Sequence, residues 1–185
     1  MNAAALYGWL AHGVVIAALV SLLPLGAARR PLAWAALPLA LVTGGAALLH
    51  GFAGPPSLTL LALAGWRLAG RAPSPLGRRP AWVVIGLAAV FYPLALGLGP
   101  FDPYAVGYRP WPLLAAGLPL TALLWWRRRD DWLLILGAGL AAYAGGLFGN
   151  LWDALIDPLL VLAALAVIGQ RRLRGRPADG EPAAG

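Results

Sequence analysis

Cysteine is absent from this chain, and so is lysine. Without cysteine there is no disulfide framework, no thiolate nucleophile and no cysteine metal site. Charge is scarce as well. Only 11% of the 185 residues are charged, against about a quarter in a soluble domain. Such a chain cannot cover a globular surface with charge. Catalytic signatures are missing too. Ser21, Ser57 and Ser74 have no positioned His beside them, and neither a GxSxG elbow nor an HExxH pair occurs. No glycine-rich loop follows a strand, so there is no nucleotide-phosphate cradle.

The chain is instead filled with apolar residues: 61% of it is hydrophobic, with a mean hydropathy of +0.74. Several apolar runs of roughly 15–20 residues are bounded by Gly, Pro or Arg, the pattern of a polytopic helical membrane protein. The net charge of +7 does not indicate a nucleic-acid partner. All of the positive charge is arginine, and it sits at the ends of apolar runs, where topology-setting charges belong. The first run is followed by LGAARR, which has the small residues of a signal-peptide site. Nothing before Leu6 is positive, however, and Arg29–Arg30 opposes export of the chain downstream of it. That segment reads as a retained helix.

The expected fold is an all-α integral membrane protein. One polytopic transmembrane domain covers 1–175, and a Pro/Gly/Ala-rich tail, 176–185, is expected to be disordered and cytoplasmic. About seven crossings are expected, near 6–27, 32–51, 57–69, 81–99, 111–126, 132–149 and 151–169. In that arrangement thirteen of the fourteen Arg face one side and Arg109 alone faces the other. The positive-inside rule then places the N-terminus outside and the C-terminus inside, in a bacterial inner membrane. The third helix is short, spanning roughly 20 Å at about 1.5 Å per residue. Making it re-entrant would leave six crossings and scatter the arginines, so seven are kept. Trp34, Trp82 and Trp132 recur at about 50-residue spacing near helix starts, suggesting a lead helix and three helical hairpins. Interfacial enrichment of Trp explains the same spacing without a repeat.

The stretch 137–157 carries the most information. Gly137, Ala141, Gly145 and Gly149 recur every fourth position, a stripe that lets another helix approach closely, within this chain or from another membrane subunit. Beyond it come Asn150, Asp153 and Asp157. With His12, His50, Asp102, Tyr104, Tyr108 and Arg109, these gather at the outer ends of the expected helices as a candidate periplasmic pocket. Polar groups are costly in hydrocarbon, so they are seldom idle there. Capping is the plainer explanation for several of them. Asp102–Pro103 and Asp157–Pro158 both read as helix N-caps followed by Pro, and Asn150 as a third cap. Asp153 and Asp157, four apart, would repel on one helix face unless Arg109, a cation or a shared proton relieved them. No cofactor is expected. His12 and His50 could hold a bis-His haem or begin a metal site, but a metal would need Asp102, Asp153 or Asp157 to complete its ligands.

Three function classes remain open. A non-catalytic accessory or lipid-binding module fits best, with membrane lipids as partners. A membrane-embedded enzyme acting on a lipid or lipid-linked substrate would use His50 or an Asp as base and Arg109 as anion clamp. A small-solute transporter would use Pro38, Pro93 and Pro119 as kinks, but the inner halves of the helices offer little polar beyond Ser21 and Thr121.

Overall fold

In a computed structural model the described residues are 2–174, with side chains as far as residue 169, and they form helices and no strands. The tail expected at 176–185 lies outside them. The helices are α1 Ala3–Val20, α2 Arg29–Val42, α3 Gly45–Ala53, α4 Leu58–Leu68 and α5 Arg78–Ala95. They continue with α6 Pro103–Val106, α7 Trp111–Trp126, α8 Asp130–Ala144, α9 Leu151–Leu155 and α10 Pro158–Arg174. After α1 the order repeats one pattern: a longer helix, a short one, then another helix.

Two stretches, Ala3–Val20 and Leu151–Gly169, are long and apolar enough to cross a membrane. A third is available if Gly26–Val42 and Gly45–Ala53, bent by 75°, count as one span. This is fewer than seven because several expected crossings are short helices, with 11 residues in α4, 16 in α7 and 15 in α8, and because other runs are interrupted. Gly44 adopts φ +82°, in the left-handed region that ends α2 and turns the chain into α3. Ile156 is extended and separates α9 from α10, inside a stretch that still counts as one span. Between α3 and α4, Gly54 at φ +72° is followed by Pro55 and Pro56, which cannot continue a helix. Apolar runs that look continuous in the sequence are therefore broken.

The shortest expected crossing proves to be central. α4 packs against α1, α2, α8, α9 and α10 and buries Thr59, Leu60, Leu63, Ala64 and Leu68. Its N-cap is Ser57, whose hydroxyl accepts the Leu60 N–H at 3.1 Å. Around it the core is lined with small residues: Ala17, Ala81 and Ala164 are fully buried, and Ala18, Ala33 and Ala88 nearly so. Small side chains bring helix backbones close, which is how helices associate where lipid supplies no hydrophobic drive. The exterior is apolar. Nothing on α7 is buried, and Trp111, Leu118, Trp125 and Trp126 lie on the surface.

Hydrogen bonds tie the arginine-rich end together. Arg67, at the end of α4, donates to the Ser21 hydroxyl (2.7 Å) and carbonyl (2.9 Å) at the end of α1. Arg129 pairs with Asp131 at 2.9 Å, and Trp132 Nε1 donates to Pro75 O at 3.2 Å. The pairing with Arg129 holds the Asp131 carboxyl below its ordinary value, while burial works the other way.

The glycine stripe does not pack as expected. Gly137, Ala141, Gly145 and Gly149 are all exposed, and α8 ends at Ala144 before the stripe is complete. The face of α8 that docks carries Ile135 and Gly139, both buried. A Cβ on Gly139 would lie 3.3 Å from Leu155 Cδ2 and 3.5 Å from Ala154 O, whereas one on Gly137 meets nothing within 4 Å. Accordingly, Gly139→Leu should destabilise the detergent-solubilised protein by about 1–3 kcal/mol through overpacking. Gly137→Leu should stay within about 0.5 kcal/mol, as exposed substitutions do. Thermal melting of the two variants checks the ordering.

Candidate functional site: a cleft between broken helices

The site begins with how the chain ends and restarts its helices away from the arginines. Asp157 follows extended Ile156 and caps α10, its Oδ1 accepting the Leu160 N–H at 2.9 Å. Its Oδ2 accepts the Ser57 N–H at 2.7 Å, from a residue 100 positions earlier. A single carboxylate thus collects donors from two helix N-termini, α4 and α10, where aligned peptide dipoles favour negative charge. Beside this junction the Tyr7 hydroxyl donates to Pro56 O at 2.8 Å, and the Tyr7 ring meets Phe148 edge-on. The α3–α4 break is held from both flanks.

A second junction joins two segments almost fifty residues apart. Asp102 caps α6 by accepting the Tyr104 N–H at 2.8 Å. Asn150, almost fully buried, caps α9 through the Trp152 N–H at 2.9 Å and donates Nδ2 to Tyr104 O at 2.9 Å. Trp152 Nε1 donates to Pro103 O at 2.9 Å. The Leu151 N–H donates to Gly107 O at 3.1 Å. The Tyr104 hydroxyl donates to the Asp153 carboxylate, 3.1 Å from each oxygen. Gly107 has no room for a side chain, because a Cβ there would overlap Asn150 Oδ1.

Between the two junctions lies a cleft of about 350 Å³. Phe91 and Tyr92 from the end of α5, Tyr104, Trp152, Asp153 and Asp157 line it, with Ala53 and Pro55 from the α3–α4 break. The aromatic rings cluster around Phe91, with centroids 4.7 Å from Trp152, 5.4 Å from Tyr92 and 6.4 Å from Tyr104. Burial and then the neighbouring Asp153 carboxylate push the Tyr104 hydroxyl well above its ordinary value, so it stays a neutral donor.

Of the nine expected pocket residues, Tyr104, Asp153 and Asp157 line the cleft and Asn150 stands behind it as a cap. Asp102 is an exposed cap. Tyr108 packs its ring on Tyr104, at 5.6 Å, but is itself exposed. Arg109 is exposed and does not line the cleft. It is not the group that relieves Asp153 and Asp157. The helix breaks between them at Ile156, so they do not share a continuous face, and each carboxylate has donors of its own.

His12 and His50 form a separate pair. Their ring centroids are 5.8 Å apart. His12 is fully buried, with Nδ1 donating to Gly8 O at 2.7 Å, and His50 lies against Gly8, where a Cβ would overlap its ring. Neither lines the cleft. Among the described residues no three His, Cys, Asp or Glu side chains gather as metal ligands, so the aspartates do not join the histidines. Phe91, Tyr92 and Ser57 were not expected at a site from the sequence. The FYP triplet at the end of α5 was an available signal for the aromatic wall; a backbone donor such as the Ser57 N–H leaves none.

No protein-family model, curated protein or solved structure matches this chain.

The double cap sets a clear contrast between two aspartates. Asn caps a helix about as well as Asp, so Asp102→Asn should change the melting temperature little. Asn offers only one acceptor oxygen and turns an NH₂ toward the other amide. Asp157→Asn should therefore cost about 1–3 kcal/mol, the penalty for a buried donor left without a partner. Comparing thermal melting of the two variants is the check.

Proposed function

We infer that this chain is a small multi-pass protein of a bacterial inner membrane, a non-catalytic accessory or lipid-binding module that holds one amphiphile in its cleft. In this reading α1 leads three helical hairpins and about seven helical passages cross or enter the bilayer. The N-terminus is outside, the C-terminus inside, and the cleft faces the periplasmic side. The observation that carries the reading is the cleft itself: an aromatic-walled recess of about 350 Å³ with two acidic groups, at the end of the bundle away from the arginine clusters. That volume falls in the small part of the range for ligand sites. Lipid chains cover α7, which buries none of its residues. The exposed stripe on α8 is where another membrane subunit would approach.

The enzyme reading has less support. His50, one of its proposed bases, and Arg109, its clamp, do not line the cleft; of the aspartates offered as the other base, Asp157 is committed to two backbone amides and Asp153 accepts the Tyr104 hydroxyl. Transport also gains little. Ser21 is engaged by Arg67, and the Thr121 hydroxyl donates to the carbonyl of Leu118 on its own helix.

Native mass spectrometry of protein released gently from membranes tests the module reading. Wild-type protein should retain about one lipid per chain. Ala95→Trp, which fills the cleft from α5, should lose that lipid with little change in melting. Equal lipid retention by both proteins, or none by wild type, would rule the cleft out as a lipid site.

A further inference from the structure

We propose that the cleft selects an ammonium-bearing headgroup, the positively charged end of a zwitterionic phospholipid. This inference rests on the reading of the cleft as a lipid site, and it comes from the chemistry of the walls. Asp153 and Asp157 both line the cleft, and no Arg or His does, among the described residues. The rings of Phe91, Tyr92, Tyr104 and Trp152 complete the wall. Aromatic faces carry negative quadrupole charge and attract alkylammonium groups, the more so when water is excluded.

Donors point the same way. An anionic headgroup would need free donors, and several of those nearest the cleft are already engaged. The Ser57 and Leu160 amides bind Asp157. The Trp152 amide binds Asn150, and its indole N–H binds Pro103 O. The Tyr104 hydroxyl is turned to Asp153. Acceptors remain. Each Asp157 oxygen takes one hydrogen bond, and the two Asp153 oxygens share a single hydroxyl, while a carboxylate offers about four lone-pair sites. Against the spare capacity of two carboxylates stands, among the described residues, one side-chain donor without an acceptor of its own, the Tyr92 hydroxyl, a balance that suits an ammonium better than a phosphate.

The overall charge works in the opposite direction and makes the test sharp. A chain of net charge +7 should draw anionic lipids to its arginines by bulk electrostatics. Full-length protein is exchanged against an equimolar mixture of dioleoyl phosphatidylethanolamine, phosphatidylcholine and phosphatidylglycerol, and the tightly held lipid is read by native mass spectrometry. The ethanolamine and choline lipids should be retained about tenfold over the glycerol lipid. Asp153→Asn keeps an acceptor for Tyr104 and should bring that ratio close to one. Tyr92→Leu, which removes one ring face, should lower the ratio without abolishing lipid binding. One lipid per chain with no headgroup preference, or a preference for the glycerol lipid, overturns the ammonium inference and leaves the lipid cleft standing. No retained lipid overturns the cleft reading itself. If millimolar choline chloride protects the protein from melting as well as the lipids do, the ammonium chemistry stands and the lipid source falls.

Discussion

One carboxylate fixes the geometry of this protein. Asp157 accepts the Leu160 N–H with one oxygen and the Ser57 N–H with the other, and it is buried, at 7% exposure. A buried charge is costly unless it is hydrogen-bonded. Here the two amides supply those bonds, and the positive ends of two helix dipoles add to them. The bond also joins distant parts of the chain, because Ser57 begins the central helix α4 and Asp157 begins α10. Neither helix could shift along its axis without giving up an amide partner. The floor of the cleft lies where the two breaks meet.

The rest of the acidic end has the same cause. A helix that stops in an apolar setting leaves backbone donors and acceptors that need partners. This chain interrupts its helices repeatedly at one end, and it places capping side chains there to satisfy the ends. Ser57, Asp102, Asn150 and Asp157 each cap a helix. Asn150 does more, since its amide also reaches Tyr104 O and draws the α6 segment onto α9. Once these duties are assigned, the Tyr92 hydroxyl is the side-chain donor left at the cleft among the described residues, against the spare acceptor capacity of Asp153 and Asp157. The selectivity proposed for the cleft is thus a by-product of how the breaks are capped.

Much of this was legible in the sequence. Composition and run length pointed to an all-helical chain with helices apolar enough to cross a membrane, and the short-range chemistry of Asp-Pro and Asn pointed to the caps at Asp102, Asn150 and Asp157. Asp153 and Tyr104 were expected at a common site and are bonded to each other. The inferences that failed were those that assumed continuous helices. The break at Ile156 removed the shared face of Asp153 and Asp157, and the left-handed turn at Gly44 broke a run expected to be one crossing. The stripe from Gly137 to Gly149 failed for a related reason. Spacing reports which residues share a face, but not which face meets a neighbour, and α8 turns Gly139 inward instead. The partner of Asp157 could not be foreseen at all, because any residue can offer a backbone N–H.

The claim that one side chain fastens two helices is tested most directly by amide hydrogen exchange in bilayer nanodiscs, comparing wild type with Asp157→Ala. The Ser57 and Leu160 amides should lose protection together, by about tenfold or more, while amides within α7 keep theirs. Loss at Leu160 with Ser57 unchanged would mean that Asp157 caps only its own helix, and that α4 is held in place by something else.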